Sequence, residues 1–284
     1  MKLKISCGAL GPGRRDFLVC PLAWCLLVAA LLCVWALSDP AALVCSFDRD
    51  GSSPLELATL PFFAAIVPLV WWKCPFDGSA ARRATLCAMV SVVAVMAVVK
   101  ETDLHLLALH ALYPDFVAED GGLLPGLVKP SGAPLAGTPF KMRVLTNPAV
   151  PLGMKAAILG YFVALFGVFA AGFAYLLKSW IVGVFRLVPS AWAVGCFGVS
   201  GLMVQTFDRL PSWLDHAHGL SKSAAGVTSA QSLCTALEEG GELLVALFAL
   251  LAIGLGHRER EAGRPRAGNG LVGCAALPLA HQPM

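Results

Sequence analysis

Three glutamates stand at the start of a long apolar stretch, TALEEGGELLVALFALLAIGLG, at residues 235–256. Counting back from Gly256 by about 20 residues, the length that crosses a bilayer core, places Glu238, Glu239 and Glu242 inside this stretch or at its edge. Glu242 is three or four residues from the other two, so either pair can share a helix face. Charge inside a membrane segment is costly, and these glutamates are therefore candidates for a functional role.

A second polar group, KETDLH, occupies residues 100–105 at the end of another apolar run. Glu101 and His105 are four residues apart, and a carboxylate and an imidazole on one helix face suit metal coordination or proton relay. The other candidates share one property, which is a charge at or near the end of an apolar segment. They are Glu56, Lys100, Asp103, Lys155, Asp208 and Arg209.

The candidates carry an excess of acid. Seven acidic and three basic side chains give a formal charge of −4. In a poorly hydrated setting these carboxylates cannot all stay ionised without a counter-charge. Either some of them hold protons, or a cation is bound. A divalent cation is the one cofactor that the sequence suggests, with Glu101, His105, Glu239 and Glu242 as candidate ligands.

The composition indicates which elements position these residues. The chain is 57% hydrophobic and 14% charged, whereas soluble domains average about 25% charged. We therefore predict an all-α transmembrane bundle in contact with the lipid bilayer. The sequence has no basic stripe with interleaved aromatic residues, which argues against nucleic-acid binding. The sequence names no protein partner. The six predicted spans cover about residues 17–37, 55–72, 84–104, 152–177, 189–207 and 237–256.

Several details of these segments can be tested by a structure. Pro61 and Pro68 predict a break in the second span. The helical pattern of the third span continues to Leu112, and a long loop follows at residues 113–151, with an interfacial or re-entrant element expected near residues 122–128. Thr228 and Gln231 are spaced as a capping box, which predicts that the last helix begins there.

The distribution of Lys and Arg predicts the orientation. Cytoplasmic loops carry an excess of these residues, and four regions fit that pattern. We therefore expect six spans with both ends in the cytoplasm. The ends are a basic N-terminal segment at residues 1–16 and a disordered tail at residues 257–284. This topology places every candidate residue near the outer leaflet. The basic residues are Lys2, Lys4, Arg14 and Arg15; Lys73, Arg82 and Arg83; Lys178 and Arg186; and Arg258, Arg260, Arg264 and Arg266.

The ten cysteines are scattered and form no CxxC pair. Most lie in apolar runs, where cysteine behaves as a small hydrophobic residue, so a metal framework is not indicated. Cys45 and Cys234 would both lie on the outer side, where a disulfide between them can form.

Three short motifs carry a resemblance. KETDLH at residues 100–105, DR at 208–209 and EEGGE at 238–242, within six spans, resemble uncharacterised bacterial multi-pass membrane proteins. The resemblance implies no activity, and a bacterial inner membrane is the expected location.

GVSG at residues 198–201 looks like the serine motif of rhomboid proteases, but the last span has no histidine, so we interpret these small residues as a packing face. Alkaline ceramidases and their relatives are disfavoured because the paired downstream histidines are missing.

Three interpretations of the charged residues remain open. They can be interfacial charges that face headgroups and water, or ion pairs that tie the helices together, or a site for an ion, proton, lipid headgroup or metal. The corresponding functions are a non-enzymatic membrane protein whose polar cluster is structural or binds a cation or lipid headgroup, a membrane-embedded metal-dependent hydrolase, and a small proton- or ion-coupled transporter.

Overall fold

The computed structural model describes residues 16–47, 53–118, 122–124, 139–140, 142–218 and 229–262. Apart from one isolated bridge between Val117 and Leu123, the regular elements of this part of the chain are helices. Six of them are long and apolar enough to cross a membrane, so the predicted all-α bundle of six spans is confirmed. The spans are the helices Val19–Leu37, Pro54–Lys73, Ala80–Glu101, Leu152–Phe185, Pro189–His218 and Ser229–Glu261.

The sixth span is the central helix of the bundle. Its apolar window is 44% buried, against 6% for the first and fourth spans. Two glycines let its neighbours come close, because a Cβ atom on Gly240 would clash with Leu31 of the first span and one on Gly241 with Val204 of the fifth. The absence of a side chain at these two glycines therefore permits close helix packing at both positions.

The second span packs on the third and the sixth. It is one continuous helix, so the break predicted from Pro61 and Pro68 is wrong. A proline removes one backbone hydrogen bond, but in a membrane helix neighbouring groups and small local adjustments can compensate for it. The residues buried between these three helices are Phe63, Ile66, Val70, Cys87, Ala94, Ala246 and Ile253.

The third span ends earlier than its hydrophobic pattern predicts. The helix stops at Glu101, and Asp103 adopts the left-handed conformation with φ of 50° before a separate helix, Leu104–Leu112, begins. Aspartate is one of the few residues with a side chain that tolerates this conformation. The break changes the direction of the chain at the polar group, and it brings the His105 ring back to the carbonyl of Val99.

The remaining helices extend beyond the predicted spans. The fourth contains a π-helical turn, Val163–Gly167, and continues to Phe185. The fifth continues to His218, and the sixth begins at Ser229 and ends at Glu261. An apolar pattern marks the part of a helix that suits the membrane, and the helix itself can continue on either side.

Some predictions fall on residues that the structure does not describe. Thr228, proposed as a helix cap, is one of them, and so are most of the predicted element at residues 122–128 and the charged N-terminal segment. Within the long loop the described residues include a short helix, Met142–Thr146. The Cys45 side chain also lies outside the described set, so its disulfide with Cys234 stays a prediction.

The two ends of the bundle can be identified from contacts between helices. At one end the Lys100 ammonium group of the third span pairs with Glu242, near the start of the sixth span. At the other end Arg260, near the end of the sixth span, donates to the carbonyl of Cys74 at the end of the second span. We call these the acidic end and the basic end.

Candidate functional site

A cavity of about 240 Å³ lies at the acidic end. It is formed by the start of the second span, the end of the third span with the helix that follows it, one residue of the long loop, and the sixth span. Seven of the eleven residues selected from the sequence line it. The lining residues are Glu56, Lys100, Glu101, Asp103, His105, Leu106, Phe140, Glu239 and Glu242.

Lys100 joins the third span to the sixth. Its Nζ atom lies 2.5 Å from Oε1 of Glu242 and 3.1 Å from Oε1 of Glu101. The two glutamate side chains are only 10% and 5% exposed, whereas the lysine side chain is 56% exposed. One partly accessible ammonium group thus pairs with two buried carboxylates and offsets one of their two negative charges. Removal of the lysine would leave both carboxylates without a counter-charge.

Glu56 has a structural role as well as a place in the cavity wall. Its Oε2 atom accepts from the backbone N–H of Ser53 at 3.0 Å, and its own N–H donates to the Ser53 hydroxyl at 3.1 Å. This reciprocal pair is a capping box that starts the second span. The sequence analysis missed Ser53, although the spacing Ser-x-x-Glu at residues 53–56 is the signal that could have found it.

His105 presents a nitrogen acceptor to the cavity region. Its Nδ1 atom lies 3.2 Å from the carbonyl oxygen of Val99. A carbonyl oxygen only accepts hydrogen bonds, so Nδ1 carries the proton. Burial lowers the pKa of His105, which keeps the ring neutral and leaves Nε2 as an acceptor.

Two aromatic residues that the sequence analysis did not select hold the His105 ring. Tyr161 stacks on it at a centroid distance of 5.3 Å, and Phe140 contacts it at 4.9 Å. Tyr161 belongs to the fourth span and Phe140 to the long loop. No local pattern links them to residues 100–105, so only the tertiary fold could reveal this contact.

The carboxylate of Glu239 differs from those of Glu56, Glu101 and Glu242. Within the part of the chain that the structure describes, it forms no hydrogen bond and no ion pair. It faces the same cavity as the other three, so its oxygen atoms are available to a ligand.

Four of the predicted site residues do not line the cavity. Asp208 and Arg209 pair with each other at 3.3 Å on an exposed surface of the fifth span. Lys155 and Glu238 are partly buried, in the fourth and sixth spans respectively, and are not part of the cavity wall. All four residues lie near the ends of membrane segments in the sequence, but this does not bring them to one site. Residues at the same end of a helix can lie on different faces of that helix.

Ser200, in the protease-like motif, is buried and has two hydrogen bonds. Its hydroxyl group accepts from Nε1 of Trp24 and donates to the carbonyl of Cys196, each at 2.9 Å. Both contacts hold the fifth span in place, the first against a neighbouring helix. This geometry agrees with the interpretation of residues 198–201 as a packing face.

The described residues of the cavity wall include five carboxylates, one lysine and one histidine, and with the histidine neutral their formal charge is −4. Among the described residues, no three His, Cys, Asp or Glu side chains are grouped as ligands of a metal ion. The arrangement can hold protons or attract a cation. No protein-family model, curated protein or solved structure matches the chain.

Proposed function

We propose that this multi-pass membrane protein binds a cation in the acidic cavity. One observation carries the proposal, which is that, among the residues that the structure describes, five carboxylates from three segments of the chain share a cavity with one lysine. Confining so many acids next to a low-dielectric membrane is unfavourable unless charge is compensated. A bound cation supplies that compensation.

The internal ion pairs account for only part of the acid. Lys100 pairs with Glu101 and Glu242 but offsets only one negative charge, and one oxygen of Glu56 is used by the helix cap. Glu239 has no such partner among the described residues. A purely structural network therefore explains the buried pair but gives the Glu239 carboxylate no partner among the described residues.

The size of the cavity suits a small cation with some of its water. A water molecule occupies about 30 Å³ in the liquid, so a cavity of about 240 Å³ has room for a hydrated metal ion or a small alkylammonium group. The amine of a lipid headgroup has the same chemistry as a free alkylammonium ion. These sources differ in how they reach the site, and this difference can be tested.

Thermal unfolding in lipid nanodiscs tests the proposal. The protein is placed in phosphatidylglycerol, which has no amine, and is melted at constant ionic strength with sodium, magnesium, ethanolamine or choline. A cation at ten times its Kd should stabilise the protein by about 1.4 kcal/mol. Glu239→Gln should abolish this increase, whereas Asp208→Asn, which removes an acid outside the cavity, should retain it.

The outcomes separate the alternatives. Stabilisation by phosphatidylethanolamine in the nanodisc but not by free ethanolamine identifies a lipid headgroup as the source. Equal responses of the wild type and Glu239→Gln to every cation contradict the proposal. Stoichiometric metal in the purified protein, lost in Glu239→Gln and His105→Ala, would favour the metal-dependent hydrolase instead.

The orientation is part of the same proposal. The basic connections favour a cytoplasmic basic end, so the cavity would face the outside of a bacterial inner membrane. A variant that keeps Cys274 as its only cysteine tests this orientation in whole cells. Its tail should react with a membrane-impermeant maleimide only after the inner membrane is permeabilised, and labelling of intact cells would reverse the assignment.

A further inference from the structure

Two cysteines meet at the basic end, far from the acidic cavity. The Sγ atoms of Cys74 and Cys87 are 4.0 Å apart. Cys74 ends the second span and is partly exposed, whereas Cys87 lies in the third span and is 1% exposed. The pair therefore combines a partly exposed cysteine with a buried one.

Backbone contacts hold both cysteines in register. The Cys74 N–H and the Cys87 thiol both donate to the carbonyl of Val70, at 2.9 and 3.4 Å. Arg260 of the sixth span donates to the Cys74 carbonyl at 2.7 Å. Cys74 also has a φ of 35°, in the left-handed region that non-glycine residues seldom adopt. The N–H and the carbonyl group of Cys74 thus both have hydrogen-bond partners that hold its backbone in place.

We propose that Cys74 and Cys87 are a modification site, a dithiol that a peroxide oxidises to a reversible disulfide. The Cys74 sulfur attacks hydrogen peroxide, the O–O bond breaks, and the products are a sulfenic acid and one water molecule. The Cys87 sulfur then attacks the Cys74 sulfur. The S–S bond forms, the S–O bond breaks, and the hydroxyl group leaves with the thiol proton of Cys87 as a second water molecule.

The geometry requires only a local movement. A disulfide is about 2.0 Å long, so the sulfur atoms must approach by about 2 Å, which side-chain rotations can provide. The difference in exposure gives the order of the two steps, because peroxide reaches Cys74 before Cys87. On a cytoplasmic face such a bond would be transient, as expected for a redox-sensing pair.

The disulfide would join the second and third spans, which also line the acidic cavity. Other cysteines provide internal controls. Cys25 and Cys33 are exposed on the first span, and Cys20 and Cys196 are buried together in a separate core. The first two are free thiols within a membrane span and test reactivity outside the Cys74–Cys87 pair.

Mass spectrometry of the full-length protein in nanodiscs tests this proposal. The protein is treated with hydrogen peroxide, its free thiols are alkylated, and it is digested without reductant. We expect a linked peptide that joins Cys74 to Cys87, joint loss of both free thiols, and full recovery after treatment with a thiol reductant. Oxidation of Cys25 or Cys33 without this linked peptide would overturn the proposal.

Two variants test the order of the steps. In Cys87→Ser, a sulfenic acid should accumulate at Cys74 and be trapped by dimedone, whereas the wild type should give little of this adduct. In Cys74→Ser, Cys87 should stay a free thiol. Equal dimedone labelling of Cys74 in the wild type and in Cys87→Ser would show that Cys87 does not resolve the sulfenic acid, and the proposal would fail.

Discussion

The acidic and basic ends of the bundle use glutamates in different ways. At the basic end, both oxygen atoms of Glu259 accept hydrogen bonds from Ser190, one from its N–H and one from its hydroxyl, so the carboxylate caps the fifth span. At the acidic end, Glu239 lines a cavity with four other carboxylates and has no hydrogen-bond partner among the described residues. The buried carboxylate of Glu259 has its partners within the fold and is structural, whereas the half-buried carboxylate of Glu239 is available to a ligand.

The largest expected effect comes from the ion pair at the acidic end. Lys100→Met leaves the buried Glu101 and Glu242 without a counter-charge. Breaking a fully buried pair typically costs about 3–5 kcal/mol, and because Lys100 is 56% exposed we expect about 1–3 kcal/mol. Denaturation of the purified variant measures this loss.

A double variant checks the assignment. Lys100→Met with Glu242→Gln should be more stable than Lys100→Met alone, because one uncompensated charge is removed. If the effects of the two substitutions on the free energy of unfolding are simply additive, the ion pair does not stabilise the fold. Glu242 would then not be a structural acid, and it would not differ from Glu239 in this respect.

The next effect concerns the structural acid at the basic end. Glu259→Ala leaves the N–H and hydroxyl groups of Ser190 without their acceptors, and loss of a helix cap typically costs about 0.5–2 kcal/mol. The melting temperature should fall while stabilisation by cations is retained. Glu261→Ala, at an exposed position of the same helix end, is the matched control and should change little. Loss of the cation effect in Glu259→Ala would mean that the two ends are not independent.

His105 should give the acidic end of the bundle a pH-dependent stability. Burial lowers the pKa of His105 in the folded protein, so as pH falls below about 6.5, the unperturbed value, the unfolded chain takes up a proton before the folded one does. Stability from this group is therefore complete above that pH and decreases as the medium becomes acidic.

The measurement compares melting at pH 7.5 and 5.5. The wild type should lose more stability than His105→Gln, by at most about 1.4 kcal/mol for each pH unit. Carboxylates also titrate in this range, but they remain in both proteins and largely cancel in the difference. His257→Gln is the control at the basic end, and an equal effect of both substitutions would contradict the assignment to His105.

The sequence predicted the bundle well because each span is a local property. An apolar run of about 20 residues needs no knowledge of its neighbours, whereas the wall of a cavity depends on them. The pattern of residues 100–112 did not reveal the turn at Asp103, since a helix break of one residue hardly changes hydrophobicity. The contact of His105 with Phe140 and Tyr161 depends on distant parts of the chain, and so does the absence of Lys155 from the site.

The contact between Cys74 and Cys87 likewise could not be predicted from local sequence. Cys74 and Cys87 are separated by a short connection, yet nothing in their spacing indicated that the sulfur atoms lie 4.0 Å apart. The contact depends on how the second and third spans pack. Apolar periodicity identified both helices but did not give their relative rotation.

The substitution with the smallest expected effect on stability gives the most direct test of the difference between Glu239 and Glu259. Glu239→Gln removes one ionisable group from the five described carboxylates of the cavity and breaks no hydrogen bond to a described residue. Without added cation the variant should be as stable as the wild type or slightly more stable, because repulsion between like charges decreases. With a saturating cation the wild type should become the more stable protein. This reversal, measured as melting temperature against cation concentration, is expected only if Glu239 contributes to binding, and a variant less stable than the wild type at every concentration would make Glu239 a structural residue like Glu259.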